Sequence, residues 1–224
     1  GYAEVIRRGM FGALPDRYRD YAGNIHKAGQ HLLDLINDIL DLAAIEASKR
    51  ELREAPLSVA DELNAAFAMI APQAKPKNLQ VMLLPINGTL IADQRMVKQI
   101  LLNLLSNAIK YTPHAGRIAL SADVVEGCLV LRVEDTGIGI PADQIETALS
   151  PYGRVGSAYT RIQASGIGLG LPLAKALTEL HGGRLVLEST EGIGTNVCVH
   201  FPAERFRPAD ILEAEARLNK AAGA

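Results

Sequence analysis

The chain has 224 residues, 48% hydrophobic and 21% charged, with a net charge of −2, enough for one sizeable core plus a smaller element in a soluble globular protein. The slightly acidic balance argues against a nucleic-acid binder that works through a basic field, and the lack of Trp with 4% aromatic residues argues against a carbohydrate or RNA stacking surface. No apolar run approaches the roughly 18 residues of a membrane span and no signal peptide opens the chain, while Cys128 and Cys198, in apolar strand patterns without C-x-x-C spacing, read as reduced strand residues of a cytosolic protein.

Tyr2, Val5, Ile6 and Met10 have helical spacing with no N-cap before them, and residues 11–15, Phe-Gly-Ala-Leu-Pro, form a turn. A long helix is predicted over residues 16–49. In it Ile25, Leu32, Ile36, Ile39 and Ala43 advance by seven, four, three and four, a heptad seam that wants a partner helix. At 1.5 Å per residue this helix is roughly 50 Å long and the first only about 15 Å. The expectation is therefore a hairpin whose first helix is cut, the rest of it lying before Gly1. Residues 51–56 are polar and mark the expected domain boundary.

Ser58, with Asp61 and Glu62 after it, reads as an N-cap and acidic first turn of a helix running to about residue 73. Strands are predicted over 79–84 and 89–92, and Asp93 then caps a further helix. Val97, Leu101, Leu104 and Ala108 form its apolar face, while Gln99, Asn103, Asn107 and Lys110 run along another. Such a row can be a solvated face, but Asn gains nothing from a mid-helix position. Two of them, one turn apart and in line with a Lys, suit a ligand. An Asn amide oxygen can ligate Mg²⁺, and a Lys ammonium can meet a phosphate as a point charge.

Ile118, Leu120, Ala122 and Val124 alternate as a strand that turns at Glu126 and Gly127 into a second, marked by Leu129, Leu131 and Val133. That second strand ends at Asp135, followed by Gly137 and Gly139. A carboxylate only accepts hydrogen bonds, so it selects a ligand that offers an N–H, such as the adenine amino group; the glycines let the backbone come close. The same D-x-G-x-G can be a hairpin turn with an Asx-type bend. Residues 153–161 have no helical or strand period. Gly166, Gly168 and Gly170 then lead into a helix marked by Leu169, Leu173, Leu177 and Leu180, with Pro172 in its first turn and Gly182 and Gly183 as its stop. Free N–H groups and the dipole at a helix start favour a phosphate. The pattern is neither G-x-G-x-x-G after a strand nor a Walker loop, which excludes Rossmann and P-loop readings. A last hairpin is predicted from Leu185 and Leu187 to Val197, Val199 and Phe201, around Gly192 and Gly194. Beyond it Ile211, Leu212, Ala214 and Leu218 allow a short amphipathic helix.

These stretches, in this order, resemble the ATP-binding domain of sensor histidine kinases, within the superfamily shared with Hsp90, DNA gyrase and MutL. Residues 103–112 are similar to the family's N box, 135–139 to its G1 box and 166–170 to its G2 box. Tyr152 stands where the F box has its aromatic, and residues 191–195 match the last glycine turn. The wording around Leu149–Tyr152 and Met10, with the hairpin, is similar to the DivJ/PleC group of alphaproteobacterial kinases.

The resemblance implies an α+β fold, with a partial dimerisation hairpin over 1–54, an α/β sandwich ATP-binding domain with helices on one face of a mixed sheet over 55–203, and a C-terminal tail over 204–224. It implies ATP and Mg²⁺ as cofactors. Asp135 would read adenine with Gly137 and Gly139 beside it, Thr195 would lie near the adenine, and Asn107 would hold Mg²⁺. Asn103, Lys110, Tyr111, Gly166, Gly168, Leu169 and Gly170 would line the phosphates, and Arg154 or Arg161, in an ATP lid expected between Ala142 and Ser165, could reach the γ-phosphate. Phosphate would pass to a histidine, then to the aspartate of a response-regulator receiver, in a homodimer on the cytoplasmic side, with no nucleic acid and no membrane contact by this segment. The family's H-E-x-x-x-P acceptor box does not occur here. His26 and His31 belong to the second helix and neither is followed by Glu, so the acceptor is expected upstream. An ATP-binding pseudokinase and an ATP-driven conformational machine are the alternatives.

Overall fold

The computed structural model describes residues 1–10, 12, 15–47, 51–153, 155 and 168–209. The chain divides into two compact units, Gly1–Ala44 and Ile45–Ala224. The first holds α1 (Tyr2–Arg7), whose N-cap Gly1 gives no side-chain bond, as its sequence suggested, and most of α2 (Asp16–Glu46). The heptad seam is realised on α2 as an exposed stripe. Ile25, Leu32, Ile36 and Ile39 are all exposed, and Leu33 and Leu40 widen the stripe beyond the seam.

In the second unit a five-stranded mixed sheet has the order β2-β4-β5-β7-β6, from β2 (Gln80–Leu84), β4 (Arg117–Val125), β5 (Cys128–Asp135), β6 (Arg184–Thr190) and β7 (Gly194–Phe201). β2 runs parallel to β4 and the other pairs are antiparallel. Glu126 and Gly127 both have positive φ, 53° and 81°, which is the turn geometry that joins two right-twisted strands in two residues. One face of the sheet presents Ile118, Leu120, Leu131, Val133, Val197 and Val199 to a single core. That core is closed by α3 (Val59–Ala74), α4 (Gln94–Tyr111) and α6 (Gly170–Leu180) through Leu63, Ile70, Ile100, Leu101, Leu104, Leu173 and Leu177. A short α5 (Ile145–Leu149) lies between β5 and the segment leading to α6.

The caps read from sequence are in place. Ser58 Oγ accepts from Asp61 N–H at 3.3 Å, and Asp93 Oδ1 accepts from Arg95 and Met96 N–H at 3.0 and 3.3 Å. A second sheet was not expected. β1 (Ala55–Ser58), β3 (Gly88–Ala92) and β8 (Phe206–Pro208) pair antiparallel in the order β1-β3-β8. In the second unit, which begins at Ile45, Ile45 and Leu52 pack on the core. Towards the C-terminus β8 joins the small sheet and buries Phe206. The amphipathic pattern at 211–218 lies outside the described residues.

Candidate nucleotide site

Asp135 ends β5, paired with Thr195 across β7. Its Oδ1 accepts from Gly137 N–H at 2.7 Å, so the Asx bend that the sequence left open is present and still leaves acceptor capacity on the carboxylate. Burial pushes the Asp135 carboxyl above its usual range, opposed by the backbone N–H groups of Gly137 and Thr195 and assisted by the charge of Glu134. The carboxylate has acceptor sites beyond those its backbone donors use, and a ligand N–H can occupy them.

The backbone closes tightly around it. A Cβ on Gly137 would stand 2.5 Å from Asp135 Oδ1 and 2.9 Å from the carbonyl of Tyr111. Gly139 has φ 66°, and a Cβ there would collide with the carbonyl of Thr190. Ile138 N–H donates to Tyr111 O at 3.3 Å, and Gly192 N–H to Ile138 O at 2.8 Å. The G1 turn is thus tied on one side to the end of α4 and on the other to the β6–β7 turn. Ser189, unmarked by any sequence pattern, completes that side. Its hydroxyl accepts from Ile140 N–H at 2.8 Å, donates to Gly194 O at 2.9 Å and lies 2.9 Å from Thr195 Oγ1.

Asn103 and Asn107 lie on one side of α4, where Gly170 at the start of α6 meets them. A Cβ on Gly170 would sit 3.6 Å from Asn107 Nδ2 and 3.9 Å from Asn103 Cβ and Cγ. Asn103 Oδ1 accepts from Gln99 Nε2 at 3.3 Å, but its Nδ2 is buried without a hydrogen-bond partner among the described residues. An orphaned buried amide donor beside helix-start glycines suits a phosphate oxygen. Lys110 Nζ stands 4.8 Å over the Tyr111 ring, a cation–π contact that leaves its N–H groups available. Lys77, also unforeseen, drives its ammonium into the end of α4, donating to the carbonyls of Ile109, Lys110 and Thr112 at 2.7, 2.8 and 3.0 Å. A cation there satisfies free carbonyls and meets the negative end of the helix dipole.

Tyr152 and Gly168 lie close together. Tyr152 N–H donates to Gly168 O at 3.2 Å, and a Cβ on Gly168, whose φ is 80°, would stand 2.5 Å from the carbonyl oxygen of Gly153. Tyr152 itself has φ 64°. Leu169 is buried behind the glycines. Arg154, Arg161 and Gly166 lie outside the described residues. His26 and His31 both sit on α2. Among the described residues there is no group of His, Cys, Asp and Glu that could hold a metal, and no helix is long and apolar enough to cross a membrane.

A mixed sheet covered on one face by helices, with a half-buried carboxylate at a strand end, a row of helix amides and glycines at a helix start, defines a class of nucleotide-binding fold. Residues 92–205 match the histidine kinase-, DNA gyrase B-, and HSP90-like ATPase family, and the chain belongs to it. Residues 1–48 match the His Kinase A (phospho-acceptor) domain. It is 43% identical over 204 residues to the histidine protein kinase DivJ of Caulobacter vibrioides, covering 90% of this chain and 34% of that protein. It is 36% identical over 219 residues to the cell-division control histidine kinase PdhS of Brucella anthropi, covering 92% of this chain and 20% of that one. The chain thus spans well under half the length of these relatives. Full-length ShkA, solved in complex with AMPPNP, matches with a TM-score of 0.75 at 27% identity, over 90% of this chain and 41% of ShkA. AdeS of Acinetobacter baumannii shares the fold at a TM-score of 0.66 and 19% identity, over 88% of this chain and 92% of AdeS.

Proposed function

We propose that this chain is the catalytic core of a two-component sensor histidine kinase that binds Mg²⁺-ATP between α4, the end of β5 and the start of α6. The observation that carries the reading is Asp135, a half-buried carboxylate with acceptor sites to spare, set in a backbone turn too tight for any side chain at 137 or 139. A flat base offering an amino N–H satisfies both features. Thr195 and Ser189, hydroxyl against hydroxyl beside it, would order the same edge. That ShkA was solved with AMPPNP supports the assignment.

The phosphates would lie where Asn103, Asn107 and Gly170 converge, with Asn103 Nδ2 as a buried donor and Lys110 as the cation. The donor set suits Mg²⁺ only in company. Asn107 offers one neutral oxygen, so the phosphates and water would complete the shell, as this ion prefers. Bound Mg²⁺ would neutralise charge on the β- and γ-phosphate oxygens. The protein's own share is positioning: Asp135 fixes the base, Asn103 and Lys110 hold and balance the phosphates, and the glycines admit them to the backbone amides. The γ-phosphate would go to a histidine, and from there to an aspartate of a response-regulator receiver. The exposed stripe of α2, Ile25, Leu32, Ile36 and Ile39, would serve a second copy in a four-helix arrangement, on the cytoplasmic side of the cell.

Titration calorimetry with Mg²⁺-AMPPNP tests the site. Asp135→Asn and Asn107→Ala are expected to weaken binding by about 100-fold and about 10-fold, the first because a selective acceptor gains a donor that faces the ligand's own. A folded wild-type protein that binds no nucleotide, or an Asp135→Asn variant that binds as well as wild type, would sink the reading.

A further inference from the structure

α4 and α6, the two helices that carry the residues proposed to face the phosphates, pack through a shared apolar core and also touch beyond it at two places. At one, Gly170 lies against Asn103 and Asn107. At the other, the N-cap of α4 meets the C-cap of α6. There Asp93 N–H donates to His181 Nε2 at 3.1 Å, a bond between residues 88 apart in sequence. Since Nε2 accepts, Nδ1 carries the proton, and it donates to Leu177 O at 2.7 Å. The ring is fully buried, edge-on to Phe201 at 5.7 Å between centroids. Only the neutral Nδ1–H imidazole satisfies both neighbours.

The Asp93 carboxylate is shared as well. Oδ1 caps α4 through Arg95 and Met96 N–H, and Oδ2 accepts from Arg53 N–H at 3.0 Å. Arg53 belongs to the polar stretch ahead of β1, where Glu54 pairs with Arg205 at 2.8 Å. Three segments therefore end on two side chains.

We infer that Asp93 and His181 are positioning residues for the nucleotide site, pinning α6 lengthwise on α4 so that Gly170 stays level with Asn103 and Asn107. The inference rests on the ATP-site reading above. Ile100, Leu101 and Leu104 pack with Leu173 and Leu177 in one core, and such packing resists separation of the helices but has no preferred direction. A hydrogen bond does, and it weakens steeply when misaligned. Sliding α6 by one residue moves Gly170 by about 1.5 Å, enough to take it out of contact with Asn103 and Asn107, which a Cβ on Gly170 would meet at 3.6 to 3.9 Å. Because Arg53 holds the second oxygen of the same carboxylate, the seat of the linker is coupled to the site through Asp93.

The test uses the full chain, Mg²⁺-AMPPNP and two variants. His181→Phe fills the space but leaves Asp93 N–H and Leu177 O unpaired, whereas His181→Gln restores an acceptor for Asp93. We expect His181→Phe to weaken binding about 5-fold or more and His181→Gln to recover most of it, with both folded by circular dichroism. Linkage is reciprocal, so AMPPNP should also slow hydrogen exchange at the wild-type Asp93 amide. If His181→Phe lowers the melting temperature yet binds like wild type, and Asp93 exchange ignores the ligand, the pair is merely structural and the inference is overturned. Should His181→Phe fail to fold, the wild-type exchange measurement decides by itself. A wild type that binds no AMPPNP overturns the ATP reading and this inference together, an outcome set apart because Asp135→Asn would then change nothing.

Discussion

The two units solve the same problem of apolar surface in opposite ways. Ile45–Ala224 buries its own: Phe201, Leu101, Ile118 and Leu173 are fully covered by neighbours within the unit. Gly1–Ala44 displays its own, with Ile25 at 65%, Leu32 at 59% and Leu40 at 60% exposure on α2. An exposed row of that kind on one helix is an interaction surface. The contrast places the buried core in one unit and an exposed apolar face in the other; on the proposed function the first would hold the nucleotide and the second would meet a partner.

Truncation sharpens the contrast most. Phe201→Ala is expected to destabilise the second unit by about 3–5 kcal/mol, read by chemical denaturation. Leu32→Ala should leave that transition where it is and lower only self-association, measured by sedimentation. Equal effects of the two on the transition would break the comparison. A smaller loss, about 1–2 kcal/mol, is expected from Lys77→Met, which keeps the apolar stem but leaves the Ile109, Lys110 and Thr112 carbonyls without their cation. It should also weaken AMPPNP binding, since the same turn carries Lys110 and Tyr111.

The sign reverses at Asp135. Burial holds its carboxyl above the usual range, so the stability it contributes is present below its unfolded value and is lost as pH rises through the folded one. At neutral pH the ionised group therefore works against folding. Asp135→Asn should raise the melting temperature of the ligand-free protein, by on the order of 2–4 °C if the gain is ~1 kcal/mol, while nucleotide binding collapses. A variant that lost both would argue that Asp135 is structural.

Acid gives the smallest effect. Burial lowers the His181 pKa; the Leu177 carbonyl and the charges of Asp93 and Glu54 oppose this, and Arg205 reinforces it. A depressed histidine contributes stability that is complete above its unfolded value, about 6.5, and is lost as pH falls through the folded one. His200, on β7, is lowered in the same sense by burial and by Arg184 and Arg132. Asp93 acts at lower pH. Burial raises it, but the N–H groups of Arg53, Met96 and Arg95 outweigh that and hold it below the usual carboxylate range. Stability should decline as pH drops from 7 to 5, and His181→Gln should flatten that decline. An unchanged slope in the variant would remove His181 from the account.

Local chemistry was enough for much of the molecule. Asp93 as a cap, the row of Asn103 and Asn107, the Glu126–Gly127 turn and the strand ending at Asp135 each follow from residues within a turn or two of one another, where periodicity and φ preferences act directly. What the sequence could not determine depends on residues far apart. β1 and β8 are short, each contains a proline, and become strands only because β3 lies between them. Lys77 finds its carbonyls 32 to 35 residues away, and His181 finds Asp93 across 88. Ser189 reads as one more polar strand residue until the G1 turn is folded over it. The sequence determined which groups could meet a nucleotide. Only the tertiary structure decided what holds them in place, because directional bonds between distant segments leave no period in the chain.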